Sequence, residues 1–143
     1  QRSISKGFRY GIILIDIDNF KKYNDIYGHS VGDIILQRVG TFLQESVELQ
    51  SVVCRYGGDE FAIILPNTTY KQLIEMGQEI RIGVKSLNIT DVCKQGGQLS
   101  LSMGFAMYPL NGDTVEHLID HADKNLLLAK DLGKDQIIPV ESP

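Results

Sequence analysis

The chain has no tryptophan, two cysteines and four prolines among its 143 residues, and no apolar run longer than five residues. The short runs fall far below the roughly 20 apolar residues that a membrane-spanning helix needs. No signal-peptide pattern is visible either. Cys54 and Cys93 stand at no metal-ligand spacing and are too few for a disulfide framework; each lies in or beside an apolar run, which predicts buried free thiols in a reducing compartment. Basic charge is also scarce: 14 Lys and Arg face 18 Asp and Glu, a net charge of −4. This argues against non-specific nucleic-acid binding, which depends on basic patches. A small anionic ligand carried in with its own metal ion stays compatible. The expectation is a cytoplasmic domain without membrane contact of its own, whether or not the parent protein is anchored.

What is present suits one soluble α/β-type domain with a sizeable core, spanning 1–143. The opening "QRSISKGFRY" runs almost directly into a strand, which reads as a domain cut from a longer protein. "RYGIILIDID" (9–18) is a short, isoleucine-rich strand ended by acids. "NFKKYNDIYG" predicts a short helix capped by Asp18 or Asn19 and stopped by Gly28, and "SVGDIILQRVGTFLQESV" a second helix. Two strands, 52–57 and 60–65, flank a glycine turn, and a helix opened by Thr68 or Thr69 follows. A strand in "QLSLSMGFAMYP", a helix closed by Gly133 and a final strand "DQIIPV" complete the order β-α-α-β-β-α-β-α-β. That order predicts an α+β, ferredoxin-like palm fold: a mixed central sheet with helices packed on it.

The turn in "CRYGGDEFAIILP" (54–66) carries Asp59 and Glu60 side by side. A hairpin turn needs glycine but not two adjacent like charges, so a positive partner is expected there. In "LIDIDNF", alternation sets Leu14, Asp16 and Asp18 on one side of the strand and Ile13, Ile15 and Ile17 on the other. Asp18 reads better as a helix cap, whereas Asp16 lies too far back to cap and reads as a metal ligand. With Asp59 and Glu60, Asp16 would form an all-oxygen site suited to magnesium. Gly57 and Gly58 would leave the backbone clear for a bulky triphosphate. His117 and His121 stand at i, i+4 without a third ligand and read as surface residues.

These residues bring the chain into a family. "RYGGDEF" at 55–61, with "DIDNFKKYNDIYGHSVGD" (16–33), "SMGFA" (102–106) and "ADKNLLLAKDLGK" (122–134), resembles the GGDEF domain of bacterial diguanylate cyclases. That family joins two GTP molecules into cyclic di-GMP with release of pyrophosphate, using magnesium or manganese. The resemblance implies Asp16, the Ile17 carbonyl and Asp59 as metal ligands, Glu60 as an additional one, and two ions per GTP-bound site. It implies Asp59 as base for the attacking 3′-hydroxyl and Lys21 as a phosphate partner; Lys22 reads as surface. Asn24 and Asp33 match the guanine readers, and a carboxylate does suit the paired N1–H and N2–H donors of guanine. His29 corresponds to a residue near ribose or base, with a structural turn histidine as the competing reading. Lys130 and Lys134 would reach the triphosphate.

Three departures stand out. In "NLLLAKDLGKD", Lys134 replaces the usual arginine, Asp135 the usual asparagine and Leu127 the usual tyrosine. The Arg-x-x-Asp product-inhibition site is replaced by "ELQS" (48–51), so no product inhibition is expected through it. The "LTxLxNR"-type segment that usually precedes the domain is not among these residues, as expected of a domain cut from a longer protein. The implied activity is a diguanylate cyclase working as a transient homodimer under a sensory domain of the parent chain. The alternative is a catalytically weak GGDEF domain that binds GTP as a regulatory module.

Overall fold

Strand β1 (Tyr10–Ile17) is the axis of the molecule, and its composition explains why: seven of its eight positions are buried, so a neighbour must cover it on every side. The computed structural model describes residues 9–138. After β1 come α1 (Phe20–Tyr27), α2 (His29–Ser46), β2 (Val52–Arg55), β3 (Glu60–Pro66), α3 (Tyr70–Gly83), β4 (Leu101–Tyr108), α4 (Val115–Asp131) and β5 (Gln136–Ile138). A 3-10 turn, Val84–Ser86, extends α3. The sheet order is β2-β3-β1-β4-β5, with β1 antiparallel to both β3 and β4, and β5 parallel to β4.

The alternation of β1 sorts its side chains between two cores. Ile13, Ile15 and Ile17 enter the larger one with Ile35, Val39 and Leu43 of α2 and Leu73 and Ile80 of α3. Ile12 and Leu14 enter the smaller one with Leu118, Ala122 and Leu126 of α4. The observed order of elements matches the expected one, and so does the mixed, helix-covered sheet. Of the expected final strand, residues 136–138 are extended, and 139 and 140 lie outside the described residues.

Local chemistry sets the boundaries. Thr69 opens α3 with a reciprocal capping box: its side chain accepts from the Gln72 N–H while the Gln72 side chain accepts from the Thr69 N–H. Thr114 caps α4 by accepting from the His117 N–H. Gly28, at φ 92°, is the whole joint between α1 and α2, and α2 begins at His29, one residue before the expected start. Cys93 is buried as expected, but Cys54 is exposed. It sits on β2, which is an edge strand among the described residues, paired there with β3 alone.

One glycine decides how closely the second layer sits. A Cβ on Gly104 of β4 would lie 2.1 Å from the Ala122 carbonyl oxygen and 2.2 Å from the Leu126 nitrogen, so α4 rests with its backbone on the strand. Asn125 reinforces this contact, donating from Nδ2 to the Phe105 carbonyl at 2.9 Å. Backbone cannot yield as a side-chain tip can, so Gly104→Ala is expected to lower the unfolding free energy by roughly 3 kcal/mol. A urea midpoint unchanged from wild type would show that α4 does not depend on this approach.

Candidate functional site

The antiparallel pairing of β1 with β3 brings the end of one strand to the start of the other, with Asp16 directly opposite Glu60. One step further, the Ile17 N–H donates to the Asp59 carbonyl at 3.3 Å. Carboxylate oxygens of Asp16, Asp59 and Glu60 therefore converge at one rim of the sheet, all within 4.8 Å of one another. Asp16 is 3% exposed, and the other two are half-buried. Burial, then the neighbouring Asp59 and Asp123 charges, push the Glu60 carboxyl above its usual range. From the last turn of α4, the Lys130 ammonium pairs with Asp16 Oδ2. Burial and then the nearby Lys134 lower the proton affinity of Lys130. Three convergent carboxylates with one ammonium leave an excess of negative oxygen donors, a donor set that fits a hard divalent cation such as Mg²⁺ or Mn²⁺.

The turn between β2 and β3 borders a cleft of about 340 Å³, whose floor includes Phe20 and Leu36. Asn24, His29 and Asp33 face it from α1 and α2, while Gly58 and Asp59 face it from the turn. Neither Gly57 nor Gly58 has a left-handed φ, and a Cβ on Gly58 would touch nothing within 4 Å. Neither backbone conformation nor packing within the chain therefore demands glycine at 58. Lys21 stands at the lip, 89% exposed in its side chain and paired with Asp25 at 3.1 Å. Asn24 Oδ1 is buried without a hydrogen-bond partner among the described residues. It lies against Gly32, where a Cβ would come within 1.8 Å of it.

Asp18 corrects an expectation. It does not cap α1: the cap is Asn19, left-handed at φ 59°, without a side-chain cap bond. Asp18 is 4% exposed and accepts from Ser100 Oγ and Ser102 Oγ, each at 2.6 Å, and from the Asp135 N–H at 2.9 Å. A carboxylate this buried requires several donors, and the start of β4, the residue before it and the turn before β5 supply them. That turn holds Lys134 and Asp135 at φ 67° and 50°, a conformation L-residues adopt reluctantly. It is pinned from both sides. The Asp135 carboxylate pairs with Arg81 and Lys85 from the α3 region, and Lys134 Nζ donates to Asn19 Oδ1 at 2.8 Å.

Arg55, at the end of β2, also borders the cleft. Its Nη2 and Nε donate to the Gly58 carbonyl at 2.6 and 3.2 Å, holding the glycine turn in place. The visible signal was an arginine three residues before that glycine. Away from the rim, Glu48, Gln50 and Ser51 border a separate groove of about 220 Å³ that also receives Glu75 and Glu79. His117 pairs with Asp113 and is not a member of the acidic cluster found among the described residues.

Comparisons with known proteins agree with this geometry. The family model described as "Diguanylate cyclase, GGDEF domain" matches residues 1–136. DosC, a diguanylate cyclase of Escherichia coli, is 35% identical over 141 residues, covering 96% of this chain and 30% of DosC. The GGDEF domain of YfiN (TpbB) from Pseudomonas aeruginosa superposes with a TM-score of 0.90 at 26% identity, over 99% of this chain and 88% of that one. The GGDEF domain of DgcB from Caulobacter crescentus, a structure in complex with c-di-GMP, gives 0.88 at 27% identity, over 96% and 81%. The chain spans about a third of the length of the curated relatives it matches. By fold, by the order of its motifs and by sequence identity, the chain belongs to the GGDEF domain family of diguanylate cyclases.

Proposed function

We propose that this domain condenses two GTP molecules into cyclic di-GMP and two pyrophosphates. The observation that carries the reading is the convergence of Asp16, Asp59 and Glu60 beside a cleft that also presents Asn24 and Asp33. Asp16, the Ile17 carbonyl, Asp59 and Glu60 would hold one or two Mg²⁺ or Mn²⁺ ions. Bound there, a divalent ion supplies charge neutralisation at the α-phosphate and eases ionisation of the 3′-hydroxyl.

The chain's own residues do the rest. Asn24 and Asp33 seat the guanine, with Asp33 accepting from N1–H and N2–H, and His29 borders ribose or base. Gly57 and Gly58 let the backbone approach the phosphates, and Lys130, Lys134 and Lys21 balance their charge. Asp59 takes the proton of the 3′-hydroxyl as that oxygen bonds to the α-phosphorus of the second GTP. The bond from that phosphorus to the bridging oxygen breaks, and pyrophosphate leaves. One cleft per chain holds one GTP, so two copies must face each other, and two-fold symmetry forms both phosphodiester bonds. A transient homodimer brought together by a sensory domain of the parent protein satisfies that requirement.

Incubation with GTP and Mg²⁺ at high protein concentration, followed by chromatography, tests the reading. Wild type should yield cyclic di-GMP, and Asp59→Ala should lower its rate by roughly 10²–10⁴-fold, the usual contribution of a positioned base. Equal product from both removes Asp59 from the chemistry, and GTP binding without product in the wild type reduces the domain to a binding module.

Selectivity is a separate matter. Asp33→Ala should reduce the preference for GTP over ATP by roughly 10–100-fold, since it removes the acceptor that adenine leaves unpaired. Competition titrations with the two nucleotides measure it, and an unchanged ratio takes Asp33 out of the base pocket.

The groove at Glu48–Ser51 presents Glu48, Glu75 and Glu79 where a site for a doubly anionic product needs cations. Added cyclic di-GMP is therefore expected to leave the initial rate unchanged. A fall in rate that Glu48→Gln or Glu75→Gln alters would contradict this.

A further inference from the structure

The ammonium of Lys130, a residue assigned above to the triphosphate, is paired with the carboxylate of Asp16, a residue assigned to the metal. Both assignments cannot be satisfied in this arrangement. Asp16 is 3% exposed, so water does little to stabilise its charge, and the Lys130 ammonium takes that part here. A divalent ion gripped by Asp16, Asp59 and Glu60 would lie a few ångströms from that ammonium, in a half-buried rim where screening is weak. The ion and the ammonium compete for the same Asp16 oxygen, and each weakens the hold of the other.

We propose that Lys130 is the resident counter-ion of the metal site. In the nucleotide-free protein its ammonium neutralises Asp16 and holds off divalent cations. The triphosphate of the incoming nucleotide draws the ammonium away and frees the carboxylate. This rests on the cyclase reading for the identity of the nucleotide, but not for the exclusion of metal.

The other cations around the rim are committed elsewhere. Lys134 donates to the neutral Asn19 Oδ1, Arg55 to the Gly58 carbonyl, and Lys21 pairs with Asp25 at the lip of the cleft. Among the described residues, Lys130 alone forms an ion pair with a member of the acidic cluster. Its stem is anchored at the end of α4, beside the buried Ala129, so the ammonium is the part free to move. Metal and nucleotide thereby strengthen each other's binding, and the coupling is reciprocal. The device keeps the acidic rim from filling with metal before a substrate is present.

The test is a Mn²⁺ titration of the nucleotide-free domain, read by electron paramagnetic resonance of free Mn²⁺. Lys130→Gln should bind Mn²⁺ at least about tenfold more tightly than wild type, and Lys130→Arg, which keeps the charge, should match wild type. Lys130→Met, which retains the apolar cover of the stem, replaces the glutamine variant if circular dichroism shows that variant unfolded. Equal or weaker Mn²⁺ binding on loss of the charge overturns the proposal. So does micromolar Mn²⁺ binding by the nucleotide-free wild type, a measurement that needs no variant. Adding 3′-deoxy-GTP, which lacks the attacking hydroxyl, should tighten Mn²⁺ binding to the wild type and do so much less in Lys130→Gln. If this nucleotide binds neither protein, the cyclase reading fails, while the nucleotide-free comparison still decides the role of Lys130.

Discussion

The register between β1 and β3 is the constraint on which the site depends. With Asp16 opposite Glu60, the carboxylates of two strands meet at one edge; a slip of one residue would turn Asp16 to the other face of the sheet. That register is enforced far from the acids. Ile13, Ile15 and Ile17 on one face and Ile12 and Leu14 on the other are all buried, so any slip would exchange two filled cores. Apolar packing thus supports a cluster of like charges that would otherwise repel. Without those cores, nothing intrinsic to three carboxylates would hold them within bonding distance of a shared ion.

Much of this was legible in the sequence because it follows from periodicity. The isoleucine run of β1 and the helical spacing of Val39 and Leu43 predict buried faces whatever surrounds them. Glycine followed by two acids in a turn marks the rim for a similar reason, since a hairpin alone does not explain the charges. What escaped was non-local. Asp18 reads as a cap because caps are recognised from adjacent residues, whereas its donors, Ser100 and Ser102, lie more than eighty positions away. Cys54 reads as buried from its apolar neighbours, but an edge strand leaves one side open, and strand order cannot be seen in local pattern. Asn24 and Gly32 form a matched pair, a side chain and the space it requires, that only coordinates reveal.

Asp135 illustrates how a departure from a family pattern is absorbed. The usual asparagine tolerates a left-handed backbone, and aspartate does so too, but it brings a charge. Here Arg81 and Lys85 meet that charge, while its backbone N–H serves Asp18. The substitution therefore ties the turn bearing Lys134 to the α3 region as well as to the strand ends. The acidic rim, the left-handed turn and α3 become one connected body through side chains with no direct part in the chemistry.

Tyr10, stacked on Tyr108, opens β1 at the end of the sheet opposite the acids. Six residue-to-residue steps of extended chain carry it to Asp16, a span of about 20 Å. Between the two ends the strand is packed on both faces all the way to the rim. Such a strand transmits position and orientation far better than deformation. A displacement at Tyr10 would therefore reach the acids as a change of place, with the spacing of the three carboxylates kept.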